Sequence, residues 1–264
     1  MRSRAVRSVR VGVMGPLARG KRGGMGLQAA LRLLFPPQCL LCETLVTTDF
    51  GLCGPCWRAT PFVAGLVCDL CGCPLPGEDP GHPVHCDECL TSARPWDQGR
   101  AAMLYRDNAR KLVLALKHGD RLDLVRPAAG WILGVARPLL SPDVLVVPVP
   151  LHWTRLLGRR YNQSALLSAE LARQAGLDHC PDALVRGRNT HSQEGRSREG
   201  RFDNMTGAIL PHPKRGTLLR GRRVLIVDDV MTSGATLAAA TEACHGAGAT
   251  HVTVAVLARV AKDA

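Results

Sequence analysis

The sequence predicts an α/β protein in which a parallel β-sheet is flanked by helices, with a small cysteine-rich module before it. From residue 101 onwards, short apolar runs of β-prone residues alternate with segments of helical spacing, a pattern typical of parallel sheets covered by helices. Before that point, nine of the eleven cysteines lie between Cys39 and Cys89. A chain of 264 residues can form one sizeable domain and a smaller one. We therefore divide it into a basic arm (residues 1–35), a cysteine module (36–92) and an α/β domain (93–264).

Much of the positive charge is concentrated in the arm. Residues 1–26 contain seven arginines and lysines and no acidic residue, which leaves +5 of the formal net charge of +12 for the rest of the chain. The arm lacks helical periodicity, so we expect it to be disordered. Its apolar run at 11–18 is short and broken by glycine and proline, which argues against a secretion signal. Because no run approaches the roughly 18 apolar residues of a membrane span, we expect a soluble, cytoplasmic protein.

The cysteines are arranged as four CxxC pairs with Cys73 left over. Each pair presents two thiolates from one tight turn, so two pairs can complete a tetrahedral zinc site. Interleaved pairing, use of Cys73 in place of Cys71, and a disulfide framework in an oxidising compartment remain alternatives. Four-sulfur sites are closed to substrate, so we expect two structural zinc ions and a double zinc-ribbon module. The gaps between pairs favour one site from Cys39, Cys42, Cys53 and Cys56, and a second from Cys68, Cys71, Cys86 and Cys89.

The α/β domain is predicted element by element from periodicity and from helix-capping residues. Strands are expected at residues 101–105, 144–150, 183–185, 208–210, 224–227 and 252–257. Helices are expected at residues 107–118, 124–140, 163–175 and 237–245. The helix at 163–175 should end at Gly176, a residue suited to the left-handed cap conformation.

The most informative segment is residues 224–236. Four aliphatic residues, typical of a strand buried on both faces, lead into Asp228 and Asp229. Ligands of open α/β sheets bind where such strands end, and two carboxylates there can accept hydrogen bonds from a vicinal diol. The loop that follows offers backbone N–H groups and hydroxyls to a phosphate at a helix start. The segment therefore predicts a cradle for a ribose 5-phosphate, although a solvated loop with a helix cap is an alternative reading.

This segment is neither a Walker loop nor a GxGxxG fingerprint. Its order of aliphatics, two acids, two spacers and a Thr/Ser/Gly loop resembles the phosphoribosyl pyrophosphate (PRPP) motif of type I phosphoribosyltransferases. The resemblance implies that Asp228 and Asp229 hold the ribose hydroxyls. It also implies a phosphate loop, by which we mean Thr232, Ser233, Gly234, Ala235 and Thr236.

Transfer from PRPP also requires groups that stabilise the departing pyrophosphate, namely Mg²⁺ and cationic or N–H partners. The buried strand ending near residue 148 should reach the same sheet edge as Asp228, so we predict a pyrophosphate loop formed by Pro148, Val149, Pro150 and Leu151. Lys117 is a further candidate, and we count it with the two aspartates as catalytic. A glycine-punctuated basic stretch at 186–204 can act as a lid, or can be only a flexible surface excursion. Its candidate residues are Arg186, Arg188, Gln193, Arg198 and Arg201.

Taken in order, these motifs resemble the ComF family, whose members combine a double zinc ribbon with a type I phosphoribosyltransferase domain and are linked to natural competence and DNA uptake. The resemblance covers roughly residues 36–260 and implies PRPP, Mg²⁺ and structural zinc, but no acceptor. Arg160 stands where the family more often has glycine, which alters the steric limits on that loop. The motifs are the paired CxxC turns, Leu116-Lys117-His118-Gly119, Val147-Pro148-Val149-Pro150-Leu151-His152, Arg160-Tyr161-Asn162-Gln163, Arg188-x-Thr190-x2-Gln193, Arg201-x2-Asn204 and residues 224–236.

We therefore predict Mg²⁺-dependent transfer of a phosphoribosyl group to an unidentified acceptor. Two alternatives remain open at this point. The chain can be a PRPP- or single-stranded-DNA-binding protein without catalysis, since its positive stretches suit nucleic acid. It can also be an assembly module whose zinc ribbons dock a helicase-like or membrane-associated partner in DNA uptake.

Overall fold

The structure is a computed structural model that describes residues 34–118, 120–151, 161–187, 202, 204–205 and 207–261. The predicted basic arm lies outside the described residues except for its last two positions. Within the described part of the chain, no helix is long and apolar enough to cross a membrane.

The core of the described chain is a parallel sheet of five strands in the order β1-β7-β6-β2-β3, and a separate antiparallel pair is formed by β4 and β5. The most central strand is β6, which pairs with β7 on one edge and with β2 on the other. The strands are β1 (Gln98–Leu104), β2 (Val144–Pro148), β3 (Asp178–His179), β4 (Leu184–Arg186), β5 (Ile209–Pro211), β6 (Arg223–Met231) and β7 (His251–Arg259).

Helices cover both faces of the sheet. In the described chain they are α1 (Gly54–Arg58), α2 (Asp87–Thr91), α3 (Asp107–His118), α4 (Val125–Ala136), α5 (Gln163–Ala175) and α6 (Ala235–Gly246). Because side chains alternate along a strand, Leu225 and Val227 of β6 pack on one face with the helices α3, α4 and α5, while Val224 and Ile226 pack on the other with α6. This confirms the predicted parallel sheet flanked by helices.

The helix bounds follow the sequence signals closely. Both α3 and α5 begin and end where they were predicted, and Gly176 adopts the left-handed conformation, with φ 68°, after α5. The helix predicted at 124–140 is shorter, because α4 is flanked by 3-10 turns at Leu122–Leu124 and Arg137–Leu139. The second of these turns contains a proline, which has no backbone N–H with which to continue an α-helix.

Strand β6 extends further than predicted. It continues past Val227 through both aspartates to Met231, because β7 remains paired with it up to Arg259. The strand predicted from the sequence ended at Val227, because the apolar run stops there. The two-residue strand β3 was not predicted.

The cysteine module packs against β1, the edge strand on its side of the sheet. The N–H of Val63 donates to the carbonyl of Ala102 (2.9 Å), and the N–H of Leu104 donates to the carbonyl of Pro61 (2.9 Å). Residues 61–63 therefore run beside β1 and cover backbone groups that an exposed edge strand would leave unpaired.

Residues 69–72 of the cysteine module approach β1 and the residues just before it more closely still. The indole N–H of Trp96 donates to the carbonyl of Leu70 (2.6 Å), and the N–H of Gly99 donates to the carbonyl of Asp69 (2.8 Å). A Cβ atom on Gly72 would lie 2.8 Å from the carbonyl carbon of Arg100, and Gly72 also has a φ of +67°. Glycine is required at this position both by its left-handed conformation and by the close approach of two backbones.

We expect the substitution Gly72→Ala to lower the free energy of unfolding by about 2–5 kcal/mol, combining left-handed strain with overpacking against backbone. Gly65→Ala is the matched control, since Gly65 also has a positive φ (+75°) but no atom within 4 Å of the added Cβ. It should lower the free energy of unfolding by only about 1–2 kcal/mol. Urea unfolding followed by circular dichroism measures both values, and equal losses would contradict the proposed close packing.

Candidate functional site

The two aspartates lie in the C-terminal half of β6, at the edge where the parallel strands end. The hydroxyl of Ser164 donates to the carboxylate of Asp228 (2.7 Å), and the Lys117 ammonium lies 3.2 Å from the carboxylate of Asp229. The N–H of Asp229 also donates to the Asp228 carboxylate (2.9 Å). The structure thus brings Asp228, Asp229 and Lys117 together, although Lys117 and Asp229 are more than a hundred residues apart in sequence.

The electrostatics of this pair differ from those of surface carboxylates. Burial, reinforced by the neighbouring charge of Asp229, raises the pKa of Asp228 to about 7. The hydrogen bonds from Ser164 and from the Asp229 backbone, and the charge of Lys117, act in the opposite direction without cancelling the shift. A carboxylate held under such conditions gains from any ligand that donates hydrogen bonds to it.

The phosphate loop follows β6 directly. Ser233 and Ala235 are buried, Thr232 is exposed, and α6 begins at Ala235. Gly234 precedes the helix in the left-handed conformation (φ 84°), and the N–H of Ala235 donates to the hydroxyl of Ser233 (3.4 Å). Because the first N–H groups of a helix have no partners within the helix, this strand-to-helix turn is suited to binding an anion.

The predicted pyrophosphate loop begins on the neighbouring strand. Pro148 ends β2 opposite Val227, one residue before Asp228, and the N–H of Val149 donates to the carbonyl of Val227 (3.0 Å). Pro150 is buried and Leu151 is half-buried. The loop and the carboxylates therefore share one edge of the sheet, as expected for adjacent parallel strands.

The segment at residues 161–163 connects the parts of this site. Asn162 caps α5 and donates from its side-chain amide to the carbonyl of Val149 (3.0 Å). The Tyr161 hydroxyl donates to the carbonyl of Leu116 (3.0 Å), and the Gln163 amide donates to the carbonyl of Lys117 (3.4 Å). These side chains connect the end of α3 and the pyrophosphate loop to the start of α5.

Of the predicted lid, only Arg186 belongs to the described residues. It ends β4, and its guanidinium donates to the sulfur of Met205 (3.1 Å). Arg188, Gln193, Arg198 and Arg201 lie outside the described residues, as do Arg155, Arg159 and Arg160.

The eight cysteines of the CxxC pairs form two groups of four. These are the two groups that the spacing of the pairs in the sequence favoured. In each group the four sulfur atoms lie within 4.8 Å of one another. The Cys42–Cys53 and Cys71–Cys86 sulfur distances are 3.5 and 3.6 Å. Because Zn–S bonds of about 2.3 Å in a tetrahedron place the sulfurs roughly 3.8 Å apart, both groups fit structural zinc. The first group is Cys39, Cys42, Cys53 and Cys56, and the second is Cys68, Cys71, Cys86 and Cys89.

Several residues that support Asp228 and the phosphate loop have no distinguishing pattern in the sequence. Ser164, the partner of Asp228, has no signal in the sequence beyond its place in the first turn of a helix. Arg94 and Arg259 hold backbone carbonyls of the phosphate loop, and both are paired with Glu88 of the cysteine module. These are single charged residues in unremarkable sequence, and only the folded arrangement gives them a role.

Comparison with known proteins agrees with both parts of this architecture. Residues 30–90 match the family model described as a double zinc ribbon domain, and residues 162–264 match the phosphoribosyl transferase domain. The structure of glutamine PRPP amidotransferase from B. subtilis, complexed with ADP and GMP, is similar at 20% identity and a TM-score of 0.35. That similarity covers 54% of this chain and 30% of that one.

Similarity to whole relatives extends over most of the chain. The DNA utilization protein YhgH of Salmonella typhi is 34% identical over 216 residues, which cover 78% of this chain and 89% of that protein. Competence protein F of Haemophilus influenzae is 28% identical over 207 residues, which cover 76% and 87%. With its double zinc ribbon, its phosphoribosyltransferase-like domain and this identity to the relatives, the chain belongs to the ComF family.

Proposed function

We propose that this protein binds PRPP together with Mg²⁺ at the carboxyl edge of its sheet and transfers the phosphoribosyl group to an acceptor. The observation that carries the proposal is the pair of carboxylates, Asp228 and Asp229, placed directly before the phosphate loop. Lys117 and the pyrophosphate loop lie at the same edge. Together these groups match the three parts of PRPP: a diol, a 5-phosphate and a diphosphate.

In this proposal the aspartates bind the ribose. Their carboxylates accept hydrogen bonds from the 2′- and 3′-hydroxyls, and such charge-assisted bonds are the strong ones. Ser164 orients Asp228 through its 2.7 Å hydrogen bond. Lys117, which lies 3.2 Å from Asp229, keeps a positive charge beside the place where the diphosphate meets the ribose.

The 5-phosphate is bound by the phosphate loop. Thr232 and Thr236 supply hydroxyls, while the backbone N–H groups at the start of α6 supply donors and the positive end of the helix dipole. Glycine at position 234 allows the left-handed turn that brings these donors together.

The chemical step separates C1′ of the ribose from the pyrophosphate oxygen while the acceptor bonds to C1′. Positive charge develops on the sugar, and the bonding electrons leave with the pyrophosphate. When bound, Mg²⁺ neutralises charge on that leaving group, and the carboxylate oxygens of Asp228 and Asp229 are ligands that it favours. The pyrophosphate loop positions the leaving group, and the lid arginines, Arg186 included, complete the charge neutralisation.

The names of the relatives refer to DNA utilization and competence, and we place the proposed activity in the same process, in the cytoplasm. Three alternative functions would each give a different experimental result. They are a PRPP-binding protein without turnover, a single-stranded-DNA-binding protein, and an assembly partner of a DNA-uptake helicase.

The first prediction concerns binding at the two carboxylates. Replacing both by amide (Asp228→Asn with Asp229→Asn) should weaken PRPP binding in Mg²⁺ at least tenfold, since hydrogen bonds to charged groups contribute about 1.5–3 kcal/mol each. Isothermal titration calorimetry measures the change. Asp178→Asn is the matched control: it removes a similar charge at the start of β3, where Asp178 pairs with Arg222, and should leave PRPP affinity unchanged.

Turnover is tested on the same proteins. Nucleobases and amines are screened for acceptor-dependent release of pyrophosphate from PRPP. Release by the wild type that is lost in the double variant supports transfer. Tight PRPP binding without release for any acceptor supports the binding-protein alternative, and wild-type protein that binds no PRPP contradicts the proposal.

A second prediction follows from the raised pKa of Asp228. A carboxyl group whose pKa is higher in the folded than in the unfolded state destabilises the fold progressively as the pH rises from about 4 to about 7. Asp228→Asn should therefore increase the free energy of unfolding of the ligand-free protein at pH 8, by about 2–4 kcal/mol. The difference should vanish near pH 4. Urea titrations at the two pH values measure it, and a variant less stable than wild type at pH 8 would contradict the prediction.

A third prediction concerns zinc. Purified protein should contain two zinc ions per chain, one for each cysteine group. Cys42→Ser should reduce the content to about one, because the first group loses a ligand. Cys73→Ser should leave it at two, because Cys73 belongs to neither group. Native mass spectrometry measures the content, and loss of zinc in the Cys73 variant would indicate a different set of ligands.

A further inference from the structure

The phosphate loop is held by its carbonyl oxygens. The Arg94 guanidinium donates to the carbonyl of Ser233 (2.6 Å), and the Arg259 guanidinium donates to the carbonyls of Met231 (3.4 Å) and Thr232. In a trans peptide the carbonyl and the N–H of the next residue point in opposite directions. Fixing the carbonyls of Thr232 and Ser233 on the arginine side therefore turns the N–H groups of Ser233 and Gly234 away from it.

The two guanidiniums share one counter-charge. The side chains of Arg94 and Arg259 are each only 1% exposed, and both pair with Glu88, at 3.0 and 2.5 Å, one on each carboxylate oxygen. Two buried cations without a shared anion would repel each other and would lack compensation for their lost hydration. Glu88 is therefore the charge that the two arginines share, and Arg259 has a further contact with Cys71 of the second cysteine group.

Glu88 is fixed by the second cysteine group. It lies on the short helix α2 between Cys86 and Cys89, and the N–H of Cys89 donates to the carbonyl of Cys86 (2.8 Å). A helix of one turn is unstable on its own. Its geometry depends on the four-sulfur site, to which Cys86 at the start of α2 and Cys89 within it contribute.

A second contact joins the same parts. Trp96, whose indole donates to the carbonyl of Leu70 in the cysteine module, lies beside Gly234. A Cβ atom at position 234 would stand 2.8 Å from Nη1 of Arg94 and 3.0 Å from Cη2 of Trp96. The phosphate loop therefore packs against Arg94 and Trp96, and both of these side chains are hydrogen-bonded to the cysteine module.

We infer that Glu88 and Arg94 are positioning residues that hold the phosphate loop in its binding conformation, and that the second zinc ribbon sets PRPP affinity through them. The part of the inference that concerns affinity rests on the proposed function. The part that concerns the loop does not, because the rigidity of the loop can be measured without a ligand.

The test is Glu88→Gln, which keeps the shape and removes the charge shared by the two arginines. Asp87→Asn is the matched control, since Asp87 is the adjacent residue of the same helix, carries the same charge and is exposed. Hydrogen–deuterium exchange of full-length, zinc-loaded protein follows the N–H groups of residues 232–236. We expect at least tenfold faster exchange there in Glu88→Gln, and no change in Asp87→Asn.

Calorimetry with PRPP and Mg²⁺ is the second readout, and we expect at least fivefold weaker binding in Glu88→Gln. Zinc content should remain at the wild-type value, which separates loss of positioning from loss of metal. Should Glu88→Gln fail to fold, Arg94→Lys is used instead. Lysine keeps the positive charge beside Glu88 but loses the planar donors that reach both Glu88 and Ser233.

Unchanged loop exchange in a folded, zinc-loaded variant overturns the inference, whatever the PRPP result. Wild-type protein that binds no PRPP overturns the proposed function alone, because accelerated exchange in Glu88→Gln still establishes the positioning role.

Discussion

The register of β6 between its two neighbours is the constraint on which the rest of the structure depends. Pairing with β2 places Pro148 opposite Val227, so the pyrophosphate loop emerges beside Asp228. Pairing with β7 places Met231 opposite Arg259, so a guanidinium reaches the loop that follows β6. A shift of one residue would send every side chain of β6 to the other face. The carboxylates, the phosphate loop and its support are therefore fixed by one set of backbone hydrogen bonds.

The same register creates an electrostatic cost at the sheet edge. Two adjacent carboxylates, one buried (Asp229) and one half-buried (Asp228), repel each other and lose hydration. The groups around them compensate only in part, and the pKa of Asp228 is accordingly raised. A sequence selected for stability alone would not combine these features, and departures from local rules tend to occur at functional sites. The partial compensation by Ser164 and Lys117 leaves the carboxylates with unused capacity to accept hydrogen bonds from a ligand.

Local signals explain what could be predicted. The helix α5 was placed correctly because its amphipathic periodicity and the glycine that ends it, Gly176, are both signals in adjacent sequence. The extent of β6 was not predicted, since it depends on β7. Ser164 lies 64 residues from Asp228, and Glu88 lies 171 residues from Arg259. Periodicity and spacing contain no information about such pairs, because their meeting is a property of the whole topology.

The composition of the phosphate loop explains why support must come from outside it. A loop that presents N–H groups to a phosphate needs small residues, and small residues such as Ser233 and Gly234 contribute little packing of their own. Rigidity is then supplied by side chains from elsewhere: Arg94 and Trp96 pack beside Gly234, and Arg94 and Arg259 have enough donors to hold several loop carbonyls at once. Buried arginines need a carboxylate, and that carboxylate must itself be held in place. A cysteine group closed to substrate meets this last requirement, so under the proposed function the zinc ribbon is part of the framework of the phosphate loop.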